Sequence, residues 1–454
     1  MSLPRYAKYR HSGLEWLGHV PAHWRVLPLG RVATSRCDGP FGSGLKSEHY
    51  TETGVRVVRL QNIRREGFDE TDAAFVDIDY YQRELAGHDV VEGDLLIAGL
   101  GDDNNAVGRA CVAPHGIEPA MVKADCFRFR LDPTAALTGF VAASLCASAE
   151  ADAGRMASGS TRSRIPLSQM SFRKVPVPPL AEQVSILAFL DRETAKIDAL
   201  VAEQQRLIEL LNEKRQAVIS HAVTKGLNPD ARMKDSGLPW IGEVPAHWTL
   251  PPLYVRYDQA LGKMLDQAKM TGEHPTPYLR NLDVRWDHFD LDDLPLIDIR
   301  PEERDRYMVR RGDLLMVEGR ELGRCAIWTG EDNVVAFQKA LHRLRPKNAS
   351  ECTRYLYYTM AFANRVGVFF ADHSPNEIPH LTGEELRRYR LPKPPRGEQE
   401  AIVEFLDRET QTFAGVEVAA RQLTDLLIER RSALISAAVT GQIDVRDAAA
   451  RSAA

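Results

Sequence analysis

"SGLEWLGHVPAHW", Ser12 to Trp24, returns as "SGLPWIGEVPAHW", Ser236 to Trp248, 224 residues later with ten of thirteen positions identical. A second pair of words, "FLDRET", stands at Phe189 to Thr194 and again at Phe405 to Thr410, 216 residues apart. Weaker echoes fall between these anchors in the same order: "LQN" ending at Asn62 with "LRN" ending at Asn281, "GDLLIAG" from Gly93 with "GDLLMVEG" from Gly312, and "GRACVA" from Gly108 with "GRCAIW" from Gly323. Ordered self-similarity of this length marks duplication of a whole structural unit. The 454-residue chain reads as two copies of one unit, the second shorter by a net eight residues in its middle.

Length alone favours two or more domains, because a single core stops growing well below this size. Hydrophobic residues at 44% and charged ones at 27% supply sizeable cores and a solvated surface, which excludes a disordered chain. Only the tail after Asp447, "AAARSAA", is expected to be unstructured. No apolar run reaches the roughly 20 residues that span a bilayer, and "MSLPRYAKYRHSG" lacks the apolar core of a signal peptide. The expected location is therefore the cytoplasm, with no membrane partner. Cys37, Cys111, Cys126, Cys146, Cys325 and Cys352 show no metal-ligand spacing and read as reduced, so no metal site is expected. A net charge of −5 argues against a nonspecific nucleic-acid binder, so any DNA contact must rest on local charge.

Each unit has two parts. From about Arg25 to Val177, short β-rich runs such as "VRVVRLQNI" and "DLLIAGL" alternate with many glycines and a helical stretch, "LTGFVAASLCAS", which predicts a compact mixed α/β domain. The pattern changes at "VPVPPLAEQ". Pro178 and Pro179 favour an extended approach, Glu182 suits the first turn of a helix, and a helical pattern runs to Lys225 before "KGLNP" stops it. Leu190, Ile197, Gln204, Leu211 and Val218 recur every seven residues, joined by Leu200 and Leu207, as in a coiled-coil seam. Leu406, Phe413, Ala420, Leu427 and Leu434 repeat the row in the second copy, with Val416 and Leu423 beside them, before Gly441. Helices of roughly 60 Å at 1.5 Å per residue cannot bury such a seam on a small domain. The expected partner of each is the other, in antiparallel, pseudo-twofold arrangement; the alternative is two separate helices docking on other proteins. The boundaries are then 1–177 for the first mixed domain, 178–226 for a long helix, 227–393 for the second domain, 394–441 for the second helix and 442–454 for the tail.

These words together resemble the specificity subunits of type I restriction-modification systems. The family's W-x-G-x-x-P-x-x-W stands at Trp16 to Trp24 and Trp240 to Trp248, and its helix start P-P-L-x-E-Q-x-x-I-x-x-F-L-D at Pro178 to Asp191 and, degraded to "PPRGEQEAIVEFLD", at Pro394 to Asp407. "GPFGSGLK" (Gly39 to Lys46) and "LGKMLD" (Leu261 to Asp266) are similar to loops near the start of such domains. The resemblance covers nearly the whole chain. It implies two target-recognition domains, each reading one half of a split double-stranded DNA sequence, with the helices as spacer. It also implies two methyltransferase (modification) subunits and ATP-dependent restriction subunits as partners, with S-adenosylmethionine, ATP and magnesium bound on those partners and no cofactor on this chain.

The rival class is an enzyme. An amino-methyltransferase holds its flipped base with Asn/Asp-Pro-Pro-Tyr/Phe, which is absent; "PPLY" at Pro251 lacks the preceding polar residue. The run "GLGDDNNAVG" (Gly99 to Gly108) mimics a nucleotide loop, yet Asp102 and Asp103 would repel phosphate, so it reads as a turn. No lysine has an acid two places before it, as a metal-dependent nuclease would place them, and no Gly-x-x-x-x-Gly-Lys-Ser/Thr loop occurs. The chain is expected to be non-catalytic. A third class, a coiled-coil scaffold without DNA contact, explains the helices but not two elaborate domains.

Local charge points to DNA contacts. From Gly154 to Ala181 stand Arg155, Arg162, Arg164, Arg173 and Lys174 and no acid, and "SGSTRSR" makes Ser160, Thr161, Arg162 and Arg164 candidates for phosphate or base edges. The alternative is a solvated loop leading into the helix. The matching "ADHSPNEIPHL" offers His373, Ser374 and Asn376, and the second copy's basic stretch lies earlier, at Lys339, Arg343, Arg345 and Lys347. Differences at these places predict an asymmetric target. Further candidates are Lys46 and Lys263 in the glycine-bearing loops, and Arg59, Asn62, Arg64, Arg280, Asn281 and Arg285 around the shared strand, since arginine suits guanine and asparagine suits adenine. Trp16, Trp24, Trp240 and Trp248 are assigned to packing.

Overall fold

The apolar runs inside "GDLLIAG" and "GDLLMVEG" form strands, Leu95–Ala98 and Leu314–Val317, that are buried on both faces in the computed structural model of the chain. A strand covered on both sides needs an unbroken apolar run, since alternate side chains enter opposite layers. Leu95 and Ile97 belong to a core with Phe127, Phe129, Val141 and Leu145, while Leu96 and Ala98 join Val58, Ile63 and Val122. Leu314 and Met316 pack with Leu344, Leu356 and Met360, and Leu315 and Val317 with Leu279, Val335 and Phe337. Just before each strand a glycine turns the chain at positive φ, Gly93 at 81° and Gly312 at 88°, which costs a residue without Cβ little. The next residue is a buried aspartate held by a two-pronged arginine: Asp94 by Arg130 at 2.9 Å and Asp313 by Arg345 at 2.7 Å for both bonds. The structure describes residues 4–41, 44–102, 104–149, 151, 163–266, 270–319, 321–370 and 381–446.

The chain divides into two compact units that are not consecutive stretches: 1–204 with 422–454, and 205–421. In the first, strands 110–112, 95–98, 126–131 and 33–37 form an antiparallel sheet in that order, beside a five-stranded sheet in which Val55–Val58 runs parallel to Ala120–Val122. In the second, strands 325–327, 314–317, 341–346 and 257–261 repeat the antiparallel order, and Pro275–Leu279 runs parallel to Ala336–Phe337. Helix Thr138–Ala147 packs on the first antiparallel sheet and Thr353–Arg365 on the second. Each unit is mixed α and β, as the sequence predicts.

The repeated words explain one another. In the first unit Trp24 is buried and its indole Nε1 donates to Glu182 Oε1 at 2.9 Å, while His23 Nε2 lies 2.8 Å from Glu182 Oε2. In the second, Trp248 and His247 make the same bonds to Glu398 at 3.0 and 2.8 Å. The neighbouring glutamines complete a clasp: Gln183 accepts from Leu137 N and donates to Pro178 O, and Gln399 accepts from Cys352 N and donates to Pro394 O. "VPAHW" and "EQ" are thus two halves of one joint that fixes the start of each long helix. Trp240 packs on Phe362, in keeping with a structural role.

The long helices run Leu180–Lys225 and Arg396–Val439, 46 and 44 residues, or roughly 66–69 Å. Each is shared between the units. In the first unit their segments are antiparallel, with Arg431 Nε 2.9 Å from Asp198 Oδ1 and Ala438 beside Ile186 and Leu190. In the second, Arg215 meets Glu417 at 3.2 Å and Val223 packs with Ile402 and Leu406. The seven-residue row is the seam, but its flank is not the expected one. Leu200, Leu207, Val416 and Leu423 are exposed, whereas Val201, Ile208, Glu417 and Thr424, one position further on, are half-buried. In the first helix both flanks are apolar, so periodicity does not choose between them; in the second, the buried flank is the polar one, Glu417 and Thr424, with Glu417 bonded to Arg215.

Each helix end rests on an opening motif. A Cβ on Gly226 would lie 3.1 Å from the Trp248 ring, and one on Gly441 2.3 Å from Pro21. In the first unit Asp444 N donates to Pro4 O at 2.7 Å and Tyr9 Oη to Gly441 O at 3.0 Å, so the beginning and end of the described chain are hydrogen-bonded to each other. A chain with joined termini, reopened between Pro229 and Asp230, is expected to keep the parent's far-UV circular dichroism and to melt cooperatively within a few degrees of it. A permuted chain that stays unfolded would refute the closed arrangement.

Candidate nucleic-acid interface

Three remote segments of the first unit meet at one place. A Cβ on Gly39 would lie 2.1 Å from the Lys123 carbonyl carbon, so only glycine lets the "GPF" loop lie flush on the 122–125 turn. Gly39 N and Asp125 N both donate to Asp38 Oδ1, at 2.7 and 2.9 Å. Burial pushes the Asp38 carboxyl up to about 6, against the pull of these two amides. Asp125 Oδ1 accepts from Arg164 Nε at 2.8 Å, and the Arg164 guanidinium sits 5.4 Å from the centre of the Phe41 ring. The glycine run joins them through Gly99 N to Asp125 O at 2.7 Å, Ile165 N to Gly99 O at 2.9 Å and Gly101 N to Ser163 O at 2.9 Å. In the described part of that run Asp102 is bonded to Asn104 N and Asn105 Nδ2, as a turn requires, while Asp103 lies outside the described residues. Phe41 is 51% exposed, and Lys46, Asn104 and Arg164 are exposed beside it in the same loops. An exposed aromatic ring, amides and cations on a rigid base can meet both base edges and phosphates.

The second unit repeats the frame with other side chains. A Cβ on Gly262 would lie 2.1 Å from Gln338 O; Lys263 N donates to Phe337 O at 2.9 Å, Lys339 N to Lys263 O at 3.0 Å, and Leu381 N to Glu318 O at 3.0 Å. Met264 is 65% exposed and Lys339 is exposed. Phe41 and Met264 each stand two residues after the buried glycine; that shared position is the signal by which the sequence could have singled them out.

The structure sorts the sequence candidates. Asn62 is 0% exposed and spends its amide on Asp69 O at 2.9 Å and Asp72 O at 2.8 Å while accepting from Arg59 N at 2.8 Å, so it clasps a turn and cannot reach a base. Arg59 is paired with Asp72, and Arg280 is doubly bonded to Asp283 at 2.8 and 2.7 Å, which raises its pKa. Lys263 turns inward to Glu303 at 2.6 Å and to Asp298 O at 2.8 Å. The second copy's basic stretch is half interior. Arg343 is buried and bonded to Asp258, and Arg345 is spent on Asp313, whereas Lys339 and Lys347 are exposed, Lys347 donating to Tyr254 O. Arg173 in the first copy is likewise buried, bonded to Gly108 O, Leu145 O and Ser148 Oγ. Lys46, Arg164, Arg285 and Lys339 remain exposed, and Arg64 and Asn281 are half-buried, the Asn281 carbonyl accepting from Arg324. Ser160, Thr161, Arg162, His373, Ser374 and Asn376 lie outside the described residues. Among the described residues no cluster of acids, histidines and cysteines could hold a metal ion, and no helix is long and apolar enough to cross a membrane.

Residues 301–417 match the family model for the type I restriction modification DNA specificity domain. Two relatives are similar over nine tenths of the chain: the type I restriction enzyme EcoKI specificity subunit of Escherichia coli K12, 22% identical over 90% of this chain and 86% of its own, and the StySPI specificity subunit of Salmonella potsdam, 23% identical with the same coverage. Two solved structures share the fold. A chain from a structure described as complex assembly and conformational transition of the type I R-M system has a TM-score of 0.68 at 16% identity, covering 92% of this chain and 98% of its own. The HsdS subunit of Thermoanaerobacter tengcongensis has a TM-score of 0.57 at 17% identity, covering 93% and 98%.

Proposed function

Taking as premise that this chain belongs to the specificity subunits of type I restriction-modification systems, we propose that its two units read the two halves of a bipartite, asymmetric sequence in double-stranded DNA. The observation that carries this reading is the repeated frame with unlike side chains: Gly39 and Gly262 seat equivalent loops, but the first presents Phe41 with Arg164 and the second Met264 with Lys339. Equal frames place two readers alike, and unequal side chains let them read different bases. The helix pair sets the distance between the halves. The chain itself is non-catalytic. Two modification subunits supply methyl transfer to adenine from S-adenosylmethionine, and restriction subunits supply ATP- and magnesium-dependent cleavage, all in the cytoplasm. Apolar side chains left exposed on the long helices, Leu200 and Leu423 in the first unit and Leu207 and Val416 in the second, are the surface assigned to the modification subunits.

Replacing residues 25–177 with the corresponding segment of a relative, in a complex with modification subunits, is expected to change one half of the methylated sequence and leave the other unchanged. Mapping methylated adenines in a host genome reads both halves at once. A change in both halves together, or methylation by the purified chain without partners, would overturn the reading.

A further inference from the structure

The duplication supplies a comparison inside one molecule: a side chain that is the same and reaches solvent at the same place in two readers of different half-sites cannot encode the difference between them. Arg64 and Arg285 meet that description. Each follows the first member of a two-residue bridge, Ile63 with Phe68 and Val284 with Phe289, and each backbone amide closes the same turn, Arg64 N to Gly67 O at 3.1 Å and Arg285 N to His288 O at 2.9 Å. Beneath each lies a second arginine. Arg109 is buried, and its guanidinium is bound by main-chain carbonyls, Ile63 O at 2.7 Å, Leu60 O at 2.9 Å, Leu100 O at 3.1 Å and Ala106 O at 3.1 Å. Arg324 is its counterpart, bonded to Asn281 O at 2.8 Å and paired with Glu321.

Burial lowers the pKa of both inner arginines, and the outer arginine above each lowers it further. Two like charges close together are unfavourable in the free protein, and both copies keep the arrangement. Among the described residues Arg64's partners are peripheral, Asn105 Oδ1 at 3.3 Å and Asp69 Oδ2 at 3.6 Å, and its side chain is 40% exposed. The geometry points to a phosphate-backbone anchor: Arg64 in the first unit and Arg285 in the second each grip a DNA phosphate, with Arg109 and Arg324 as positioning residues that hold the turn and its positive field in place. The assignment rests on the DNA-reading function proposed above. Its consequence is a division of labour, in which these turns fix the register of each unit on the duplex and the Phe41 and Met264 loops read it.

The test uses the complex with its modification subunits and measures affinity for target and unrelated duplexes between about 50 and 500 mM salt, a range of about one decade as befits counterion release. Arg64→Ala and Arg285→Ala are each expected to weaken binding to both duplexes by the same factor, about tenfold, and to flatten the slope of log affinity on log salt by about 0.9, while mapped methylation keeps its sequence. Arg64→Lys should restore the slope, and an unchanged melting midpoint separates the effect from misfolding. An altered base at one half-site, unchanged DNA affinity, or a response to free inorganic phosphate without one to DNA would overturn the anchor. A parent complex that binds all duplexes alike would overturn the reading beneath it as well.

Discussion

Two residues added after Ala199 are expected to abolish methylation by the assembled complex, whereas four leave it active on a target with more widely spaced halves. The seam explains the contrast. Its rows, Leu190, Ile197 and Gln204 with Thr194, Val201 and Ile208, face the second helix only while the register of about 3.5 residues per turn holds. Two residues rotate everything beyond them by roughly 200°, which turns Val201 out of the seam and into solvent. Four residues come close to a full turn and add roughly 6 Å of helix. At about 3.4 Å per base pair this corresponds to one or two base pairs of added spacing. Methylation mapping on both variants decides the matter. Retained activity at an unchanged spacing would show that something other than helical rise sets the distance.

Glu351→Ala is expected to cost about 3–5 kcal/mol, since it leaves a buried guanidinium without its counter-ion. Arg256 and Glu351 are 1% and 0% exposed, and Arg256 donates from Nε and Nη2 to Glu351 Oε2 at 2.9 and 2.7 Å, while Lys393 Nζ lies 2.6 Å from Oε1. Replacing both partners of the central pair by Arg256→Met and Glu351→Leu should recover most of that loss, because the cost lies in the stranded charge. Burial alone would raise the Glu351 pKa, but Arg256 and Lys393 outweigh it and hold the group below its ordinary value. The pair's contribution is therefore present above the ordinary carboxylate pKa of about 4.3 and is lost as pH falls below it. Urea melts at neutral and acid pH check both statements. A loss under about 1 kcal/mol at neutral pH would mean that the pair is not holding the unit together.

The duplication, the two mixed domains and the long helices were legible because each rests on periodicity or repetition, which a linear sequence preserves. Roles that depend on partners from remote positions were not. The "LQN" and "LRN" echo aligns letters, yet in the fold Asn62 matches Asp283: each accepts from the amide three residues earlier, Arg59 N at 2.8 Å and Arg280 N at 2.7 Å. The true correspondence runs two residues later than the letters imply. The basic stretch of the second copy pointed to DNA because Arg343 and Arg345 stand close together in sequence; their carboxylates, Asp258 and Asp313, are far away along the chain. Among the described residues no such remote acid pairs with Arg285 or Lys339, Arg164 stays exposed although it is paired with Asp125, and Phe41 and Met264 stand out only once Gly39 and Gly262 are seen to be trapped.

The division of the chain into 1–204 with 422–454 and 205–421 also sets an order of manufacture. The core around Tyr6, Trp24, Phe140 and Leu190 is closed by Ala438, Val439 and Val445, which leave the ribosome after every residue of the second unit. The unit numbered second holds all its parts once residue 421 has emerged, so the usual sequence of domains folding from the N-terminus is inverted. Through most of translation the start of the chain carries an open apolar face. A stop codon just after residue 421 would accordingly spoil the first reader while sparing the second.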